Sequence, residues 1–150
     1  MRKSSLPPKS TYYDFGVVSY DAYLAVTTKS PNAAYSWVKS VLVLAMPYQY
    51  KKAANQTGYY LPARFSYGKD YHNIVLRELE DIAKRLQKRE KFRYEAKCDI
   101  SYLEEKTLAH LAGLGSFGKN NLLIHPQFGS FMVLGTLLMD QEFDVYDIPL

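Results

Sequence analysis

The stretch AGLGSFGKNN (residues 112–121) decides which kind of α/β fold this chain can have. It contains Gly113-x-Gly115-x-x-Gly118, the spacing of a dinucleotide fingerprint, and Gly113-xxxx-Gly118-Lys119, the start of a phosphate-binding P-loop. In a dinucleotide fold a strand leads into the glycines and a helix leaves them, so that the helix N-terminus faces the pyrophosphate. Here the order is reversed, with the helical EEKTLAHLA before Gly113 and the strand-like NLLIH after the glycines. Asn120 also stands where a P-loop carries its magnesium-binding Ser or Thr. Both phosphate readings are rejected. Two uses of the glycines remain open: a left-handed helix cap at Gly113 followed by simple turns, or bare backbone beside Lys119, Asn120 and Asn121 against which a large polar-edged ligand lies.

Working outward, the apolar run SVLVLAMPY (residues 40–48) ends at a proline and suits the buried central strand of a sheet. YYDFGVVSY (residues 12–20), FRYEAKCD (residues 92–99), NLLIH and SFMVLGTLLMD (residues 130–140) are further strand candidates, with PQFG as a turn. Asp70 can cap a helix whose apolar face is Tyr71, Ile74, Val75, Leu79, Ile82, Ala83 and Leu86. The opposite, charged face is read as solvated and is given no function. Residues 104–111 form a short helix, and the polar and aromatic stretch 49–68 is long enough to be a binding loop. The expected class is therefore α/β (α+β), a central mixed β-sheet flanked by helices. Residues 1–10, with their Pro-Pro pair, are expected to be a loose arm on a single domain, residues 11–150.

Composition narrows the function. Lys and Arg number 19 against 15 Asp and Glu, a net charge of +4 that favours an anionic partner such as RNA or a phosphorylated cofactor. No apolar run is long enough to span a bilayer and no secretory leader is visible, so a cytoplasmic location without membrane contact is expected. With Cys98 as the single cysteine, the chain can build no thiolate zinc site and no iron-sulfur cluster of its own. The 14 tyrosines are assigned mostly to packing, with stacking on a flat ligand as the alternative use.

Several stretches together resemble the N-terminal cobalamin-binding domain of epoxyqueuosine reductase: ARFSYGKDYH (residues 63–72), DISYLEEK (residues 99–106) and residues 112–140, beginning AGLGSFGKNN. VKSVLVLAMPYQY (residues 38–50) is similar to the family's central strand. The resemblance implies a cobalamin-binding α/β core, distantly like flavin nitroreductases, followed in the family by a ferredoxin-like domain with iron-sulfur clusters that this chain stops short of. It implies reductive removal of an epoxide oxygen from a modified base in the tRNA anticodon loop, using reduced cobalamin, the final step of queuosine biosynthesis. By position, Asp99 corresponds to the acid that protonates the departing oxygen, a role suited to a carboxylic acid of raised pKa. Arg64, Tyr67, Lys106, Gly115, Gly118, Lys119 and Asn120 fall at positions of the cofactor pocket. Lys106 replaces a family arginine, which keeps the charge and loses the planar fork. No protein metal ligand is assigned. His72 has an axial-ligand use and a structural hydrogen-bond use, with His110 and His125 read the same way, and Cys98 is read as a small buried residue. Without clusters of its own the chain needs an electron donor, either a partner protein or a missing C-terminal domain. The alternative is a non-catalytic module that binds corrinoid, flavin or RNA.

Overall fold

The computed structural model describes residues 1–8, 12–47, 61–98, 103–130 and 132–150, and for residues 61–70 it describes only the helical backbone. The strands are β1 (Asp14–Ser19), β2 (Ser40–Pro47), β3 (Tyr94–Cys98), β4 (Ser116–Phe117), β5 (Leu123–Ile124) and β6 (Met132–Met139). The helices are α1 (Tyr20–Val26), α2 (Leu61–Gln87) and α3 (Glu105–Leu111). The main sheet has the order β1-β2-β6-β3, and β4 and β5 form a separate hairpin.

The α/β arrangement, a sheet flanked by helices, is as expected, but the strand directions are not mixed. All three pairings described in the main sheet, β1 with β2, β2 with β6 and β3 with β6, are antiparallel. An apolar run buried on both faces suggests a parallel strand by itself, but here the two covering layers come from helices on either side of an antiparallel sheet.

Because successive side chains of a strand point to opposite faces, β2 feeds two cores. Leu42, Leu44 and Met46 join Val75, Leu79, Ile82 and Leu86 of α2 in one layer. Val41, Val43 and Ala45 join Tyr20 and Tyr23 of α1 and Leu108 and Ala109 of α3 in the other. β6 alternates in the same way, with Val133, Leu137 and Met139 toward α2 and Leu138 toward α3. Gly135 of β6 lets α2 come close, since a β-carbon there would stand 2.3 Å from Val75 Cγ1.

Three boundaries differ from the sequence reading. α2 begins at Leu61, so residues 61–68 are helical where a binding loop was expected. Pro62 supplies the reason, because proline is favoured in a helix's first turn, where its missing N–H has no intrahelical partner to lose. α1 begins at Tyr20, immediately after β1, with Ser19 Oγ accepting from the Ala22 amide at 3.4 Å as its cap. Of the expected arm, residues 1–8 are described, and the first of them dock on the fold. Lys3 donates from its backbone to Asp144 Oδ1 at 2.8 Å and from Nζ to Asp147 Oδ1 at 2.5 Å, and Met1 and Leu6 pack against the α2-side core. Asp147 exchanges two backbone-directed hydrogen bonds with Val17, through Oδ2 and through its own amide, and so covers the free edge of β1.

Candidate functional site

The glycine stretch lies on the α1 and α3 side of the sheet. α3 starts at a fixed point because Glu104 is held from both ends. Its amide donates to Tyr23 Oη at 2.9 Å, and its carboxylate accepts from the Thr28 amide at 2.7 Å and from the Thr27 and Thr28 hydroxyls. The Thr27 hydroxyl first, then the Thr28 amide, pull the Glu104 carboxyl below the usual carboxylate range. The start of α3 is thus tied to the end of α1.

α3 ends at Gly113, whose φ of +81° is left-handed. The Leu114 amide donates to Ala109 O at 3.0 Å and the Gly113 amide to His110 O at 3.1 Å, which is a Schellman cap. The chain then turns back through β4 and β5, closed by the Gly118 amide donating to Leu122 O at 2.9 Å. Gly115 is needed because a β-carbon there would stand 2.7 Å from Ile124 O, across the hairpin. Asn120 and Asn121 both have positive φ, +65° and +59°, the conformation asparagine tolerates better than other residues with a β-carbon. Of the two uses left open for this stretch, the cap and turn use accounts for Gly113, Gly115, Asn120 and Asn121. The turn chemistry of an Asn pair was the signal in the sequence for this.

Between the start of α3 and the hairpin lies an open groove of about 540 Å³, lined by Glu104, Glu105, Lys106, Thr107, Phe117 and Asn121. Its size falls within the roughly 300–1,000 Å³ of small-molecule sites. Lys106 is exposed on its wall, and Gly118, Lys119 and Asn120 form the exposed turn of the hairpin that supplies Phe117 and Asn121. Gly115 is buried at the hairpin's base. Of the predicted site residues that are described, only Lys106 lines the groove; Gly115, Gly118, Lys119 and Asn120 belong to the hairpin whose Phe117 and Asn121 face Lys106 across it. Arg64 and Tyr67 lie in the first turns of α2, where side chains are not described, and Asp99 lies outside the described residues, directly after the end of β3. Sequence reasoning missed Phe117, Thr107 and Glu104 as groove residues. No motif marks them; they meet through the hairpin and the α1 to α3 tie.

The lining fits one class of ligand better than another. Glu104 and Glu105 oppose a phosphate, whereas the Lys106 ammonium, the Thr107 hydroxyl and the Asn121 amide beside the flat Phe117 ring offer polar and flat partners to an uncharged ligand edge. The other residues of interest have structural surroundings. His125 is buried; its Nε2 donates to Asp14 Oδ2 at 2.9 Å while Nδ1 accepts from the Gln127 and Phe128 amides. Cys98 is half-buried, with Sγ 3.3 Å from Leu134 O. His72 is half-buried on α2 and is engaged with its surroundings. Among the described residues no helix is long and apolar enough to cross a membrane.

Comparison with known proteins places this geometry. The family described as "Epoxyqueuosine reductase QueG, DUF1730" matches residues 29–100. An epoxyqueuosine reductase of Synechococcus sp. (strain CC9605) is 35% identical over 135 residues, 89% of this chain and 42% of that one. The chain is related to the epoxyqueuosine reductases. It spans about two fifths of that relative's length. A solved epoxyqueuosine reductase with an epoxyqueuosine-modified tRNA-Tyr stem loop covers 99% of this chain, with 45% of its own length matched, at a TM-score of 0.66 and 22% identity. A reductive dehalogenase whose structure suggests a mechanism for B12-dependent dehalogenation has the same fold at a TM-score of 0.58 and 15% identity, matched over 91% of this chain and 18% of its own. Epoxyqueuosine reductases and reductive dehalogenases thus share the sheet-and-helix core described above.

Proposed function

We propose that this chain is the cobalamin-binding part of an epoxyqueuosine reductase, acting in the cytoplasm on the anticodon loop of tRNA to reduce epoxyqueuosine to queuosine. The observation that carries this reading is the likeness to an epoxyqueuosine reductase along nearly the whole chain, in a fold also found in a protein of that name solved with a modified tRNA stem loop. The likeness to a B12-dependent dehalogenase supports cobalamin as the cofactor.

In its reduced form, bound cobalamin would supply the two electrons for removing the epoxide oxygen, which takes up two protons and leaves as water. The chain's own residues bind, orient and protonate. Asp99 holds the proton delivered to that oxygen as the C–O bond breaks, which prevents a free alkoxide from building up. Lys106 and the turn of Gly118, Lys119 and Asn120 would hold the cofactor's polar rim, Gly115 keeps β4 against β5, and Arg64 and Tyr67 are assigned to the cofactor by the resemblance alone. Cys98 is the chain's single cysteine, so the electrons come from clusters carried by a partner protein or a further domain.

The test is an anaerobic titration of the purified chain with cob(II)alamin, followed by visible and electron-paramagnetic spectra. A saturable shift to a base-off spectrum is expected. Asp99→Asn should give the same shift, and in the presence of a cluster-bearing donor it should leave epoxyqueuosine in the tRNA unreduced. No shift from a folded sample would sink the cobalamin reading; turnover by Asp99→Asn would remove Asp99 from the chemistry.

A further inference from the structure

His110 occupies the last turn of α3, one helical turn beyond Lys106 and on the same face of the helix. Its Nδ1 lies 3.0 Å from the Gly115 carbonyl oxygen, which can only accept, so Nδ1 carries the proton and donates. The same ring lies 5.3 Å from the Phe117 ring with the planes inclined at 50°, within the range of a favourable aromatic pair. One side chain therefore grips the chain at two points. Gly115 is where the backbone enters the hairpin, and Phe117 is the aromatic wall of the groove.

A purely apolar residue at 110 could pack on Phe117 but could not hold the Gly115 carbonyl. A purely polar one could hold the carbonyl but would leave Phe117 without its ring partner. Histidine does both with a single ring, and adds to the two-residue ladder of β4 and β5 and the Gly118 to Leu122 bond that close the hairpin. We infer that His110 is the positioning residue of the groove: it sets the Gly115 peptide and the Phe117 wall, and thereby how tightly the groove holds a flat ligand. The identity of that ligand as a corrinoid rests on the proposed function; the hold on the hairpin does not.

The experiment separates the two grips. His110→Asn keeps a donor near the place of Nδ1 and loses the ring, His110→Phe keeps the ring and loses the donor, and His110→Ala loses both. The first readout is amide hydrogen exchange at Gly118, whose N–H closes the hairpin on Leu122 O. The second is the dissociation constant for cob(II)alamin. For His110→Ala we expect Gly118 to exchange about fivefold faster, the size of one net hydrogen bond, with core amides of β2 and β6 unchanged, and cob(II)alamin to bind about fivefold more weakly. His110→Asn should recover the Gly118 protection and His110→Phe should recover less of it. Gly118 exchange at the parent rate in His110→Ala would overturn the proposal. So would an equal acceleration at the β2 and β6 core amides, since His110 would then act on global stability alone. If the parent chain binds no cob(II)alamin, the corrinoid reading falls, while the exchange comparison still decides the role of His110.

Discussion

Replacing Gly113 by Ala tests whether the glycine that opens the AGLG stretch serves the fold. Gly113 has a φ of +81°, and a β-carbon there would stand 2.6 Å from the backbone oxygen of Ile148. A β-carbon in the left-handed region costs roughly 1–2 kcal/mol. Contact with a backbone oxygen adds to this, because the segment carrying Ile148 is fixed by the Asp147 bonds to Val17 and cannot shift without losing them. Alanine restricts the unfolded chain and returns about 0.4–1 kcal/mol. The net expectation for Gly113→Ala is a loss of about 2 kcal/mol, or roughly 4–8 °C in Tm for a domain of this size. Gly129 provides the internal control: its φ is +67°, but an added β-carbon there meets nothing within 4 Å. Gly129→Ala should therefore lose only the conformational part, about 1 kcal/mol or less. Urea unfolding followed by circular dichroism measures both. Equal losses for the two variants would refute the argument, since the Ile148 carbonyl would then contribute nothing, and a Gly113→Ala variant as stable as the parent would refute the left-handed cap as well.

Two further outcomes follow from the packing and the charge. Gly135→Ala places a methyl 2.3 Å from Val75 Cγ1 and should cost about 1–3 kcal/mol by overpacking; adding Val75→Ala should return most of that loss, and a double variant whose losses simply add in urea melts would show that α2 is not seated on β6 as described. Glu104, ordinarily titrating near 4.5, has its folded value depressed by the Thr27 and Thr28 donors, so the stability it contributes is present in full above that ordinary value and is lost as the pH falls through the depressed one. The stability gap between the parent and Glu104→Gln should therefore close on acidification below about pH 4.5 in a pH series of urea midpoints, and a gap independent of pH would refute the assignment.

The order of elements around the glycines was readable from the chain itself. A helix ahead of Gly113 and a strand after Asn121 are local consequences of apolar spacing and turn chemistry, and they suffice to exclude a phosphate cradle. The same local rules identified β2 and β6 from their apolar runs and the α2 face from Val75, Leu79, Ile82 and Leu86. They place the start of α2 too late, because Asp70 looks like a cap while Pro62, a first-turn residue, sits within a stretch rich in loop-forming residues. The family resemblance supplied the cofactor and the candidate residues, which no periodicity contains.

Contacts between residues far apart in sequence were decided only by the tertiary structure. Glu104 meets Thr27 and Thr28, Asp147 covers the edge of β1, and Phe117 reaches the groove beside Lys106, each across a separation that leaves no repeat or spacing in the sequence. The strand directions belong to the same class, since a two-sided apolar strand satisfies its burial equally well in a parallel or an antiparallel sheet. Local structure follows from the few residues that share a turn of backbone. A groove follows from which surfaces the whole chain can bury at once, and only the folded arrangement settles that.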